Sequence, residues 1–102
     1  MTTEEKIVAS IYSEPVITKH ICQHHWVSDG TKTVHPITIW PENVTIQMDS
    51  DRNYFNKAIK RVVENHKDLF RTGYYCKNDG SCPNTIRFEY TAEAQENLRN
   101  KI

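Results

Sequence analysis

The sequence lacks the motifs by which a short chain most often shows its chemistry. Only three glycines occur in 102 residues. No Walker loop, Rossmann glycine pattern, Gly-x-Ser-x-Gly elbow or His-Glu-x-x-His motif is present. No apolar run approaches the roughly 18 residues that a membrane-spanning helix needs. The start, Met1 to Lys6, is polar where a signal peptide would be basic and then apolar. We therefore expect no membrane association and an intracellular location, the host cytoplasm if the protein is viral.

Charge of one sign is also missing. Lysine and arginine number 13, aspartate and glutamate number 13, and the isoelectric point is about 7.0. This balance excludes a polybasic or polyacidic tail as the functional element. The two halves differ, however, since residues 1–50 carry a net charge of −3 and residues 51–102 a net charge of +3. The neutrality is therefore a cancellation between an acidic half and a basic half.

Leucine is scarce as well, with two residues against ten isoleucines and seven valines. β-Branched side chains suit a pleated sheet better than a helix, so this balance excludes an all-helical bundle. The predicted elements follow from hydrophobic periodicity and turn residues. In chain order they are a helix at 3–12, strands at 16–27, 31–40 and 44–48, a helix at 51–70, strands at 72–77 and 81–91, and a helix at 92–100.

The prediction is thus an α+β fold in one domain, 1–102, with the order α-β-β-β-α-β-β-α. About five antiparallel strands form a sheet, and the helices pack on one face of it. Thr2 or Thr3 caps the first helix, Thr91 caps the last, and Gly73 lies just past the end of the long helix. Pro36 cannot donate to a strand ladder, so its strand is expected at an edge or a bulge.

Two of the three cysteines flank a turn. Residues 78–80 fit a three-residue hairpin loop, which would put Cys76 directly opposite Cys82 at a non-hydrogen-bonded pair. Sulfur atoms in that register are within disulfide reach. Pro83 counts against the register, because it would fill a hydrogen-bonded site without a donor. The alternative is two reduced thiols, as is usual in a cytosolic protein.

Histidine and cysteine alternate in the first strand candidate. His20, Cys22 and His24 would share one face of a strand, and imidazole and thiolate are ligands of zinc. The spacing of the usual zinc knuckles is absent, so the alternative is a partly exposed strand with solvated histidines. No cofactor is expected, and zinc remains the alternative.

Basic residues concentrate on the long helix and beyond it. These candidates for contact with DNA or RNA phosphates are Arg52, Lys57, Lys60, Arg61, Lys67, Arg71 and Arg87. Tyr74 or Tyr75 could extend the surface onto the sheet. A solvated outer face is the alternative interpretation of the same pattern. The primary hypothesis is a small non-enzymatic binding protein, a homodimer, that binds nucleic acid through this helix.

Two other functions stay open. The first is a protein-binding inhibitor or assembly factor that uses an exposed sheet edge together with Trp26 and Trp40. The second is a zinc- or histidine-dependent enzyme. A short chain without motifs, rich in Asn, Ile and Thr, is also typical of accessory proteins from viruses and mobile elements.

Overall fold

A computed structural model describes residues 1–22, 36–49, 55–77 and 84–102. In chain order its elements are α1 (Thr3–Tyr12), α2 (Pro15–Lys19), β1 (Ile37–Ile39), β2 (Asn43–Met48), α3 (Phe55–Asn65), β3 (Phe70–Lys77), β4 (Asn84–Tyr90) and α4 (Ala92–Arg99). The α+β class is confirmed. Among these described residues, no helix is long and apolar enough to cross a membrane.

All strand pairs in the described sheet are antiparallel, and the strand order is β1-β2-β4-β3. Alternation places Val44, Ile46, Ile86 and Phe88 on one face, where they are fully buried. Ile7 of α1 and further apolar residues of all four helices join them in a single buried cluster. The prediction that the helices pack on one face is therefore confirmed.

The strand predicted over residues 16–27 is wrong in its described part. Residues Pro15–Lys19 form the short helix α2, and Ile21 makes only an isolated bridge to Met48. Proline at the first helical position has its φ already set for a helix and lacks only an amide hydrogen that the first turn leaves unpaired. Burial of Ile17 against the core then outweighs the β preference of its neighbours. The described sheet consequently has four strands instead of the expected five.

The long helix is shorter than predicted at its C-terminal end. It ends at Asn65, and its predicted start at residues 51–54 lies outside the described residues. Leu69 and Phe70 keep the helical spacing and are buried, but they lie in the following turn and in β3. The Phe70 ring stacks on Phe88 with centroids 5.0 Å apart. A cross-strand aromatic pair thus replaces the last helical turn.

Other local predictions agree with the structure. Thr2 caps α1 in a capping box with Glu5, and Thr91 caps α4 by accepting a hydrogen bond from the Ala94 amide. The strand after Pro36, β1, lies at an edge of the sheet. These signals are local, which is why they could be found without knowledge of the tertiary structure.

The register predicted for the second hairpin is wrong. Cys76 pairs with Thr85 and Lys77 with Asn84, so the strands meet three positions further along than expected. Burial explains the difference, because this register places Asn84, Ile86 and Phe88 on the core face. The predicted three-residue turn lies in 78–83, outside the described residues.

Candidate nucleic-acid interface

The side of the sheet away from the helices carries polar and aromatic side chains. We call it the open face; its residues are Thr45, Gln47, Tyr74, Cys76, Thr85, Arg87 and Glu89. Register pairs Arg87 of β4 with Tyr74 of β3 on one side and with Thr45 of β2 on the other. The four described helices all bury their apolar residues against the opposite side. Long polar side chains therefore lie next to one another here, and no described helix packs on this side. Thr45 and Thr85 are buried, and Tyr74 is the large exposed side chain of the face.

Arg87 and Tyr74 form the centre of this face. The Arg87 guanidinium carbon lies 6.0 Å from the centroid of the Tyr74 ring. A hydrogen bond with Tyr74 raises the pKa of Arg87 further above its usual range, so the side chain keeps its charge. Its Nε atom is buried and has no hydrogen-bond partner among the described residues. A fixed cation beside a ring that is 37% exposed is suited to an anionic aromatic ligand, although the buried Nε atom itself is out of a ligand's reach.

Arg71 adds a second cation at the edge of the open face. The register of β3 shifts between Phe70 and Thr72, so Arg71 occupies an irregular position in the strand. Its guanidinium forms an ion pair with Glu89, and its side chain remains 63% exposed. Exposed pairs of this kind are weak and exchange partners readily in water. Arg71 is therefore positioned for an anion, with Glu89 as its present partner.

A groove of about 430 Å³ runs between α3 and β3, beside Tyr74. We call it the β3 groove. Its lining comprises Asn56, Ile59, Lys60, Val63, Arg71, Thr72, Gly73, Tyr74 and Tyr75. The charged residues in this lining are Lys60 and Arg71, both cations. The groove thus continues the positive edge of the open face towards α3.

Gly73 makes the close approach of α3 and β3 feasible. A Cβ atom at this position would lie 2.5 Å from the Phe88 ring and 2.8 Å from Ile59. Such distances are too short for any side chain, so glycine is required by packing. The prediction that Gly73 follows the helix end is wrong, because the residue lies inside β3.

The structure divides the predicted basic cluster. Arg61 is held by an ion pair, since its Nε lies 2.5 Å from Oε1 of Glu14; the Glu14 side chain is 8% exposed, whereas half of the Arg61 side chain meets solvent. This hydrogen bond raises the pKa of Arg61. Lys57 and Lys67 are exposed and do not line the β3 groove, and Arg52 lies outside the described residues.

The predicted zinc ligands are only partly within the described residues. His20 ends α2, where its ring meets the Phe55 ring edge-on at 5.5 Å and its Nδ1 lies 3.9 Å from Asp49 Oδ1. Cys22 is buried, and its amide donates to the Gln47 carbonyl. His24 lies outside the described residues. No group of three potential metal ligands occurs within the described ranges. Zinc binding stays a prediction.

The disulfide also stays a prediction, although its geometric basis has changed. Cys76 is half-buried and forms no disulfide with a described residue, and its Sγ lies 3.5 Å from the Thr85 carbonyl oxygen. Cys82 lies outside the described residues. The register observed on β3 and β4 places Thr85, not Cys82, opposite Cys76.

The sequence predicted that Arg87 and Tyr74 or Tyr75 belong to the interface. It did not indicate which cations are held in ion pairs within the fold and which are available to a ligand. The ion pair between Arg61 and Glu14 spans 47 positions, and no local pattern indicates it. The β3 groove likewise depends on how α3 lies against an edge strand. No protein-family model, curated protein or solved structure matches the chain, so the geometry is the basis for a functional assignment.

Proposed function

We propose that the protein binds single-stranded nucleic acid, DNA or RNA, across the Tyr74 side of the open face. The pairing of Arg87 with Tyr74 carries this proposal. An exposed ring on a sheet surface can stack on an unpaired base, and a neighbouring guanidinium can contact the phosphate. Catalysis is not part of the proposal.

Local charge supports this assignment. Arg87, Arg71 and Lys60 lie at one end of the sheet, while Glu89 is the acidic residue of the open face. A phosphate could replace Glu89 as the partner of Arg71, since an exposed ion pair costs little to exchange. Proteins that bind single strands combine such a positive track with stacking rings. The site therefore differs from the outer face of α3, where Arg61 is held by Glu14.

The test is fluorescence anisotropy with labelled dT12, rU12 and a 12-base-pair duplex at 50 and 200 mM NaCl. We expect both single strands to bind more tightly than the duplex and all affinities to fall with salt. Substitution Tyr74→Leu should weaken single-strand binding by roughly 5- to 100-fold, the range for loss of one stacked base. Tyr74→Phe keeps the ring and should retain most of the affinity.

A matched pair of lysines isolates the β3 groove. Lys60→Gln removes a cation that lines the groove, whereas Lys57→Gln removes an equally exposed one from the same helix outside it. The salt dependence is the slope of the logarithm of the binding constant against the logarithm of the salt concentration. We expect Lys60→Gln to reduce the magnitude of this slope by about 0.7, the value for one phosphate on a single strand. Lys57→Gln should leave it unchanged. Equal effects of the two variants would mean that binding is not localised to the groove.

Absence of binding to every probe at 50 mM NaCl would overturn the proposal, because the phosphate contribution is largest at low salt.

The homodimer and the role as a viral or mobile-element accessory protein are finer parts of this proposal. Sedimentation equilibrium checks the homodimer. A measured mass that approaches twice the chain mass of 12.0 kDa as the protein concentration rises supports it.

A further inference from the structure

The opposite edge of the sheet carries an exposed tryptophan that the proposed function does not use. Trp40 follows the last residue of β1, and 51% of it is exposed. Its indole Nε1 donates to Oγ1 of Thr45 at 3.1 Å, and its backbone amide donates to the Asn43 carbonyl at 2.8 Å. The ring is thus held in place at both the backbone and the indole, while half of its surface meets solvent.

A cleft of about 410 Å³ lies beside this ring, between the end of β1 and α4. We call it the Trp40 cleft. Ile39 and Leu98 contribute apolar surface to it, and Glu4 and Glu42 contribute carboxylates. Arg99 also lines the cleft, but its guanidinium pairs with Glu96 at 3.1 Å. Glu4 and Glu42 form no ion pair within the described part of the chain. The cleft therefore combines an aromatic ring with two carboxylates that have no ion-pair partner among the described residues, and Arg99 is the cation in its lining.

We propose that the Trp40 cleft is a docking site for a lysine or arginine side chain of a basic segment in a partner protein. Tryptophan is the strongest aromatic partner for a cation, and the two carboxylates would attract the same group. Ile39 and Leu98 would contact the aliphatic stem of the docked side chain. Charge complementarity thus selects the occupant, and the same carboxylates would repel a phosphate chain.

A second copy of this chain fits less well. The cations at the far edge of the sheet, Lys60 and Arg71, line a groove of their own. Two concave surfaces cannot fill each other, so Lys60 and Arg71 of a second copy are poor occupants, and the self-association measurement below tests the exposed lysines of a second copy. The site is independent of Tyr74 and Arg87, and it can fail or succeed without any consequence for nucleic-acid binding.

The experiment uses a Trp26→Phe background, in which Trp40 is the remaining one of the two tryptophans. The probe is the peptide acetyl-(Gly-Arg)3-amide, and acetyl-(Gly-Gln)3-amide is the neutral reference. We expect a saturable change of Trp40 fluorescence with the arginine peptide and no change with the glutamine peptide. Isothermal titration calorimetry on the protein with Trp26 intact measures the same dissociation constants.

The cleft residues provide the variants. Glu4→Gln and Glu42→Gln should each reduce the affinity for the arginine peptide by about two- to fivefold, as expected for an exposed charge pair. Trp40→Leu should weaken it about fivefold or more, while Trp40→Phe should lose less. Glu64→Gln removes an exposed acid of α3 outside the cleft and should have no effect.

Several results would overturn the proposal. Equal binding of both peptides would show an apolar site without cation selectivity. Equal losses in Glu64→Gln and Glu42→Gln would show attraction to acids in general. Self-association in sedimentation that Trp40→Leu abolishes would make a second copy the occupant. Circular dichroism and melting curves identify a variant that has lost its fold, and the conservative Trp40→Phe and Glu→Gln variants then carry the test.

Discussion

The two edge strands of the sheet have opposite surroundings. β3 has eight residues, lies against α3, and is accompanied by Lys60, Arg71 and Arg87. β1 has three residues and is followed by Trp40, and Glu4 and Glu42 line the cleft beside it. Each edge thus has an exposed ring near charged side chains, with Lys60 and Arg71 in the β3 groove and Glu4, Glu42 and Arg99 in the Trp40 cleft. A chain of zero net charge can therefore place cations near one exposed ring and carboxylates near another.

The two edges also differ in how they are held. The β3 edge is tied to α3 by packing that tolerates no extra atom at Gly73. The β1 edge is held by polar contacts near Trp40 and Tyr90, such as the hydrogen bond from the Tyr90 hydroxyl to the Asn43 carbonyl at 2.8 Å. Damage to the first should therefore cost more stability than damage to the second.

The largest effect is expected for Gly73→Ala. The added methyl group would overlap the Phe88 ring and Ile59, which must move apart and loosen α3 from β3. We expect a loss of about 2–3 kcal/mol in the free energy of unfolding, measured by urea denaturation. Thr72→Ala, at the half-buried neighbouring position, is the control and should cost clearly less. A neutral Gly73→Ala variant would show that α3 is not in close contact with β3.

A smaller loss is expected for Arg61→Met, which leaves the buried Glu14 carboxylate without its partner. We expect the melting temperature to fall by about 5 °C, because an unpaired buried charge is poorly tolerated. The double variant Arg61→Met/Glu14→Gln should recover part of this loss. Single-strand binding by folded Arg61→Met should stay near that of the unsubstituted protein, in contrast to Lys60→Gln. A strong binding defect would return Arg61 to the interface.

Stability at alkaline pH should depend on Tyr90, the last residue of β4, whose hydroxyl donates to the Asn43 carbonyl of β2. Burial, and after it the negative charge of Glu4, raises the pKa of the Tyr90 phenol above the value of about 10 in an unfolded chain. The folded state then holds this proton more tightly than the unfolded state. Its contribution to stability is full below pH 10 and is lost as the pH rises towards the folded pKa.

Urea denaturation at pH 10 and pH 11 measures this loss. We expect the free energy of unfolding to fall by about 1 kcal/mol over this interval in the unsubstituted protein. Tyr90→Phe should show a smaller fall, because it has no phenol to ionise. Identical pH dependence in the two proteins would contradict burial of the Tyr90 hydroxyl.

The smallest effect is expected for Thr45→Val, which removes the acceptor of the Trp40 indole. Water can replace this hydrogen bond at a half-exposed ring, so stability should fall by only about 0.5 kcal/mol. Acrylamide quenching of Trp40 in the Trp26→Phe background should increase. Thr38→Val, at the position paired with Thr45, serves as the control. Unchanged quenching would mean that packing alone holds the indole.

Prediction from sequence succeeded where the signal was local. The capping residues Thr2 and Thr91 and the alternation of Val44, Ile46 and Met48 depend on neighbours within a few positions. It failed where two local tendencies competed. Residues 16–18 have β-branched side chains, yet Pro15 and the burial of Ile17 make them helical. Phe70 has helical spacing, yet its stacking partner Phe88 lies on β4.

The candidate sites show the same division. The division of charge between the two halves of the chain, and the combination of Arg87 with a tyrosine, are properties of the sequence itself. Which cations are available is a property of the fold, because Arg61 meets Glu14 only when α2 packs against α3.

By itself, the amino-acid sequence determined the α+β class, the caps and the opposite charges of the two halves. These follow from side-chain chemistry and spacing along the chain. Only the tertiary structure decided the strand register, the end of α3, and the positions of Lys60 and Arg71 in the β3 groove and of Glu4 and Glu42 in the Trp40 cleft. The physical reason is that register and helix length are set by burial against distant residues, which no local pattern encodes.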